Sequence, residues 1–93
     1  MNMKQADNRS IFCRNIRFLR KQHSLTQKQL ADIMDVSTAT VRRMENNDPH
    51  VRVNGKILCK LANYFDLSVD WIMLMDLEEI WEDHAVFEQK EFT

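Results

Sequence analysis

The sequence predicts an all-α fold, and three observations support this. The chain has one Gly and one Pro among its 93 residues, too few for the many tight turns of a β-sandwich or barrel. Apolar residues recur at helical spacing, as in Phe12, Ile16 and Leu19. Residues that favour helix N-termini precede several such stretches. The length is enough for one domain whose core needs no disulfide or metal to fold.

Capping residues place the helices along the chain. Thr26 and Gln29 have the spacing of a capping box, and Ser10, Ser37 and Ser68 are expected to cap the first, third and fifth helices. The predicted helices run from Ser10 to about Gln22, then over about 27–34, 38–46 and 55–65, with a fifth after Ser68. From Leu77 onward a further helical face is predicted among acidic residues, which either extends the fifth helix or forms a sixth.

The inward faces of these helices supply the predicted core. The expected core residues are Phe12, Ile16, Leu19, Leu30, Ala31, Met34, Val36, Val41, Met44, Leu58, Leu61, Ala62, Phe65, Val69, Trp71 and Ile72. Apolar faces of this kind are expected on helices that pack around a single core.

The formal net charge of −1 conceals two oppositely charged parts. Residues 1–60 contain 12 of the 13 basic residues and five acids, a net charge of +7. Residues 61–93 contain nine acids and one base, a net charge of −8. This asymmetry indicates an anionic partner for the first part of the chain.

Several functional classes are disfavoured. Cys13 and Cys59 are far apart and there is no signal-like segment, so a reduced, cytoplasmic location is expected. No apolar run reaches the ~20 residues of a membrane span. No cofactor or metal site is expected, because His, Cys and carboxylates do not cluster at ligand spacing. No arrangement of acid, base and nucleophile suggests an enzyme.

Residues 27–46 have the pattern of a helix-turn-helix. Ala31 provides the small residue that two closely crossing helices need, and Asp35 tolerates the positive φ of a sharp turn. Val41 and Met44 face inward, which leaves the opposite face of the third helix exposed. In this geometry the second helix of the motif presents its N-terminal end to the DNA major groove.

Two segments resemble the lambda-repressor/Cro-like helix-turn-helix family, also called the Xre family. They are LRKQHSLTQKQLADIMDVSTATVRRMEN, residues 19–46, and LANYFDLSVDWI, residues 61–72. With the first helix, the resemblance covers roughly residues 11–74. It implies a compact five-helix lambda-repressor-like DNA-binding domain, here with a C-terminal helical extension.

The resemblance also implies roles for single residues. Thr38, Ala39 and Arg43 match positions that read base edges, and Arg42 lies on the same exposed face. Positions that contact phosphate in the family are matched by Gln27, Ser37, Thr40 and Asn46. Lys28 and Arg52 are added to these on charge alone. Arg20 and Glu45 match a pair that forms an internal salt bridge in several relatives.

The sequence departs from the family in three places. Asp35 and Asp66 replace the usual turn glycines, and Ala39 leaves one reading position without a hydrogen-bonding side chain. The 47–54 link between the third and fourth helices is longer than usual and carries Arg52. This loop either adds phosphate contacts or merely differs in length from the loop of the resembled family.

The predicted organisation has three parts. Residues 1–9 form a flexible N-terminal arm, 10–75 the DNA-binding domain, and 76–93 an acidic, aromatic helical extension. Trp71, Leu77, Ile80 and Trp81 are the expected dimerisation residues.

These features predict a sequence-specific DNA-binding transcriptional regulator. We expect a homodimeric repressor of phage or mobile-element type that binds a palindromic operator in double-stranded DNA. The alternative is a protein-interaction module, such as the antitoxin of a toxin–antitoxin pair, whose acidic C-terminal end binds another protein.

Overall fold

The computed structural model of the protein describes residues 8–82. The helices are α1 (Asn8–Gln22), α2 (Gln27–Met34), α3 (Thr38–Glu45), α4 (Gly55–Phe65) and α5 (Val69–Leu74). Residues 77–82 form a sixth helical segment, α6. No strand occurs among residues 8–82, and the prediction of an all-α fold is confirmed. Residues 1–7 of the predicted arm and 83–93 of the predicted extension lie outside the described residues.

The predicted N-caps of α2, α3 and α5 are present. The Gln29 amide donates to Thr26 Oγ1 over 3.0 Å, and the Thr26 amide donates to Gln29 Oε1 over 2.8 Å, which completes a capping box. The Ser37 and Ser68 hydroxyls accept from the third amides of α3 and α5. Asn54 caps α4 in the same way. These contacts satisfy amides that have no partner inside the helix.

The first helix begins before the predicted cap. Asn8, Arg9 and Ser10 are already helical, so Ser10 lies inside α1 rather than at its cap. The Ser10 hydroxyl accepts a hydrogen bond from Asn47 Nδ2 over 3.1 Å. The prediction of a cap at Ser10 was wrong, because the chain is already helical at Asn8 and Arg9.

Residues in the left-handed conformation end α2 and α4. They are the two aspartates that stand where the resemblance implies turn glycines. Asp35 has φ of 62° and Asp66 has φ of 58°. Their amides donate to carbonyls of the preceding helical turn, among them those of Ala31 and Ala62. Asp tolerates this conformation better than most residues with a side chain, so the positive φ predicted for Asp35 is confirmed.

The core contains most of the predicted apolar faces. Its buried residues are Phe12, Cys13, Ile16, Leu19, Leu30, Ala31, Met34, Val41, Met44, Val51, Ile57, Leu61, Phe65, Ile72 and Leu77. Val36, Leu58 and Ala62 are only partly buried against it. Trp71 was wrongly assigned to the core, since it is 43% exposed. It precedes the buried Ile72 by one residue, which on a helix turns its side chain about 100° away.

The sixth helical segment is separate from α5. Met75 is extended, with φ of −102° and ψ of 140°, and ends α5. Asp76 Oδ1 then accepts from the Glu79 amide over 3.2 Å, as an N-cap does. Of the two alternatives left open by the sequence, a sixth helix is the correct one.

A buried asparagine joins α1 to the α5–α6 junction. Asn15 is 1% exposed, and its Nδ2 donates to the carbonyls of Ile72 and Met75, each over 2.7 Å. Its Oδ1 accepts from the Leu77 amide over 3.1 Å. Leu77 is 6% exposed and belongs to the core. The start of the predicted extension therefore packs as part of the same body as α1.

Candidate nucleic-acid interface

Helices α2 and α3 pack directly on each other and form a helix-turn-helix. Ala31 of α2 is 1% exposed, and Val41 and Met44 of α3 are buried. The Val36 amide donates to the Ala31 carbonyl over 3.0 Å, which closes the turn that follows Asp35. Because α3 buries Val41 and Met44 in the core, its opposite face remains accessible.

That accessible face carries the predicted base-reading residues. Arg42 and Arg43 are exposed, while Thr38 and Ala39 are half-buried in the first turn of the helix. Within residues 8–82, neither guanidinium makes a hydrogen bond or an ion pair. Two exposed arginines in the last turn of α3 form a surface to which an anionic ligand is attracted.

An ion pair holds α3 in position against α1. Arg20 Nε donates to Glu45 Oε2 over 2.6 Å, and Arg20 Nη2 donates to Glu45 Oε1 over 3.0 Å. The two side chains are 15% and 4% exposed. A third bond joins Arg20 Nη1 to the Leu25 carbonyl over 3.0 Å. The salt bridge expected for these residues is present.

The residues predicted to contact phosphate also have partners within the chain. Gln27 Nε2 donates to Glu45 Oε1 over 3.2 Å, so Gln27 joins the Arg20 ion pair. The Ser37 and Thr40 hydroxyls are 2.9 Å apart, and Ser37 caps α3. These contacts fix the side chains at the N-termini of both helices, where the first amides lack intrahelical acceptors.

The remaining predicted phosphate residues are exposed. Lys28 lies on α2, with its Nζ 3.7 Å from Asp32 Oδ2, in a pair whose side chains are 75% and 70% exposed. Asn46 ends α3 as its C-cap. Both have access to a ligand that approaches the helix-turn-helix.

The long loop of residues 47–54 lies beside α3. Arg9 Nη2 donates to the Val51 carbonyl over 2.7 Å and also to the carbonyl of Asp48. A cleft of about 470 Å³ separates the loop from α3, and its lining consists of Thr40, Arg43, Asp48, His50, Val51 and Arg52. The structure thus brings Arg52 next to two predicted α3 residues.

The role of Arg9 was missed because the residue falls in a polar stretch without periodicity. Its acceptors lie 39 and 42 positions along the chain. A contact at such separation leaves no local pattern. The only available signal was that the unusually long loop needs a partner for its backbone carbonyls.

The predicted dimerisation residues lie on a separate surface. Trp71 and Trp81 are 43% and 48% exposed. They line an apolar groove of 360 Å³ together with Phe18, Leu19, His23, Phe65, Leu67, Leu77 and Ile80. Leu77 is buried, so it supports the groove from beneath. The structure therefore leaves two tryptophans available to a partner.

Part of the basic surface faces the acidic end of the same chain. Arg14 Nη2 lies 3.1 Å from Asp76 Oδ2. A second groove, of 640 Å³, is bounded by basic residues of α1 and acidic residues of α6; its charged lining is Arg14, Arg17, Lys21, Glu78 and Glu82. The excess positive charge on this side of α1 is thus partly balanced within the chain.

Two further properties concern residues 8–82. None of their helices combines the length and apolarity of a membrane-spanning segment. Within the same residues, no three His, Cys, Asp or Glu side chains are placed to bind a metal ion together.

The close α2–α3 crossing, the left-handed turn and the exposed face of α3 define a helix-turn-helix domain. Comparison with known families agrees. Residues 16–72 match the family described as helix-turn-helix, of the Cro/C1 type, and the chain belongs to this family.

Two curated relatives are named as regulators. The HTH-type transcriptional regulator PrpR of Mycobacterium tuberculosis is 32% identical over 76% of this chain and 16% of PrpR. The competence pilus inhibition repressor of Acinetobacter baylyi is 39% identical over 67% of this chain and 54% of the repressor. The chain therefore matches about half of one relative and a smaller part of the other. No solved structure matches the chain significantly.

Proposed function

We propose that the protein is a sequence-specific DNA-binding transcriptional regulator in which α3 enters the major groove. The observation that carries this proposal is the exposed pair Arg42 and Arg43 on α3, the second helix of a helix-turn-helix. Recognition helices of this motif lie in the major groove, where their N-terminal residues contact base edges. Arg42 and Arg43 follow Thr38 and Ala39 by four residues, in the last turn of α3. Membership of the helix-turn-helix family and the names of both relatives support the same function.

The side chains on α3 have distinct proposed roles. Arg43 donates two hydrogen bonds to guanine O6 and N7, which discriminates against other bases by about 1–3 kcal/mol. Thr38 bonds a base edge, and the Ala39 methyl packs on a thymine methyl. Arg42 contacts a neighbouring base.

Phosphate contacts surround this reading face. The first amides of α2 and α3 bind backbone oxygens, together with polar side chains at the same ends. The proposed side chains are Gln27, Lys28, Ser37 and Thr40 near those N-termini, Asn46 at the end of α3 and Arg52 in the loop that follows it. The bond from Gln27 to Glu45 supports this arrangement, because it fixes the start of α2 relative to the end of α3.

Two variants distinguish base-specific recognition from non-specific electrostatic binding to DNA. Arg43→Ala should weaken binding to a selected operator far more than binding to random DNA. Lys28→Ala should weaken both equally and lower the salt slope by about one. Fluorescence anisotropy at several salt concentrations measures both effects. Equal losses on the two DNAs for Arg43→Ala would reduce that residue to a phosphate contact.

We further propose that the regulator is a homodimeric repressor that binds a palindromic operator. Exposed apolar surface of this kind often marks a protein-binding site, and Trp71 and Trp81 expose nearly half of their surfaces beside one groove. Two copies joined there present their α3 helices to half-sites about 34 Å apart. The relative named as a repressor supports repression as the mode of action.

Sedimentation velocity tests the proposed dimer. The wild type should sediment as a dimer, and a Trp71→Ala, Trp81→Ala double variant should sediment as a monomer. Tyr64→Ala is the matched control, since Tyr64 is 50% exposed and does not line the groove. A wild-type monomer would favour the alternative, in which the same groove and the acidic α6 bind another protein, as in an antitoxin.

A further inference from the structure

The groove between α1 and α6 has walls of opposite charge. It has a volume of 640 Å³, and Arg17 and Lys21 of α1 line one side. Glu78 and Glu82 of α6 line the other side. All four residues are exposed. Within residues 8–82, none of these four side chains makes a hydrogen bond or an ion pair. Their charges are therefore accessible to a molecule that covers the groove.

The groove as a whole is close to neutral. Its fifth charged residue, Arg14, is paired with Asp76, whose Oδ2 lies 3.1 Å from Arg14 Nη2. The remaining charges of the lining are two cations and two anions. A nucleic acid or a uniformly charged peptide would be attracted by one wall and repelled by the other. The ligand that fits the groove therefore carries both signs of charge on separate sides.

A second copy of the chain has such a surface. In a two-fold dimer both copies contribute the same patch, so the patch must be complementary to itself. With the two-fold axis along the groove, the α1 wall of each copy lies opposite the α6 wall of the other. With the axis across the groove, like charges would meet, which is unfavourable. The charges therefore select one orientation of the two copies.

The charged groove adjoins the apolar groove proposed above for dimerisation. Phe18 and Trp81 line both grooves, and their rings meet edge to face with centroids 6.3 Å apart. Trp81 is 48% exposed. A second copy that covers Trp81 at the apolar groove therefore also reaches the charged walls. An apolar centre with a polar rim is the usual composition of a protein interface.

We propose that the charged groove is part of the homodimer interface, in which the α1 wall of each copy binds the α6 wall of the other. The inference rests on the proposed dimer and adds the residues that make it specific for a second copy of this chain. The apolar groove supplies most of the affinity. The charged walls disfavour other orientations and uniformly charged partners.

Reversing the charge of each wall tests this pairing. One variant combines Arg17→Glu with Lys21→Glu, and the other combines Glu78→Lys with Glu82→Lys. Each variant has two walls of the same sign, so its dimer dissociation constant should rise about 100-fold or more at low salt. An equimolar mixture should form a dimer again in sedimentation velocity, because one variant has two negative walls and the other has two positive walls.

A third variant, with all four substitutions, controls for repulsion inside the chain. It again has one wall of each sign, so it should dimerise as the wild type does and have a similar urea midpoint. Mixed with the wild type it should form no mixed dimer, because like charges would face each other. Lys56→Glu and Glu79→Lys are the matched controls, since both residues are exposed and line neither groove. Each should sediment as the wild type does.

The outcomes distinguish this inference from the proposed dimer. A monomeric wild type would overturn both. A wild-type dimer that persists after either wall is reversed would overturn the charged interface and leave the tryptophan surface as the site of dimerisation. Wall variants that stay monomeric when mixed would show that the walls do not face each other, which also overturns the inference. A dimer in the mixture and in the variant with four substitutions would support it.

Discussion

Replacing Arg20 by Ala should destabilise the protein strongly. The substitution removes three hydrogen bonds, two to Glu45 and one to the Leu25 carbonyl. The Glu45 side chain is 4% exposed, so its carboxylate would keep the Gln27 amide as a partner and have little access to water. Stranding a buried charge in this way costs about 3–5 kcal/mol. We expect the lower end, since the Arg20 side chain is itself 15% exposed.

Urea denaturation followed by circular dichroism measures this loss. A decrease of about 3 kcal/mol is a large fraction of the 5–15 kcal/mol typical of a folded domain. The exposed pair Lys28–Asp32 provides the comparison, since Lys28→Ala should lose only about 0.3–0.5 kcal/mol. Losses of similar size for Arg20→Ala and Lys28→Ala would refute the reasoning.

A double variant tests whether the stranded charge causes the loss. Replacing Arg20 by Met and Glu45 by Leu together removes both charges and fills similar volume. Such replacements of buried ion pairs are often neutral or stabilising. The double variant should therefore recover most of the stability lost in Arg20→Ala. A double variant as unstable as the single one would show that packing, rather than the charge, is responsible.

Three further predictions use the same denaturation assay. Asn15→Leu should lower the free energy of unfolding by about 1–3 kcal/mol, because it removes three hydrogen bonds to the backbone, two of them buried; no change would contradict its role at the α5–α6 junction. Asp35→Gly should be neutral or stabilising and Asp35→Val destabilising by about 1–2 kcal/mol, since β-branched residues resist positive φ; the reverse order would contradict this. Truncation after Met75 should lower stability by at least about 2 kcal/mol through loss of the buried Leu77, and an unchanged midpoint would place α6 outside the core.

Local signals in the sequence predicted much of the fold. Thr26, Ser37 and Ser68 cap the helices expected of them, because capping depends on residues three positions apart. The turn at Asp35 was predictable for the same reason, since its left-handed conformation suits few residue types. The resemblance to a known family added the Arg20–Glu45 pair, which no local pattern shows.

Long-range contacts account for what the sequence did not predict. Arg9 and Asn15 bond groups far along the chain, the latter at separations of 57 to 62 residues. Nothing near either residue indicates these partners. Trp71 was wrongly assigned to the core because apolar residues lie on two neighbouring faces of the short α5. The packing of Ile72 determines which of these faces is buried.

The basic residues that give the first 60 positions their positive charge lie on more than one surface of the structure. Arg14 pairs with Asp76, so some basic residues of α1 face the acidic α6. Arg43 and Arg52 instead lie together around the cleft beside α3. The positive charge proposed for DNA is therefore concentrated on the helix-turn-helix and its adjoining loop.

Selection of bound duplexes from a random pool tests the central proposal most directly. The wild-type protein should enrich a palindromic consensus whose half-sites lie about one helical turn apart, and Arg43→Ala should relax the preference at one position in each half-site. A pool that remains random after selection with the wild type would contradict sequence-specific reading by α3.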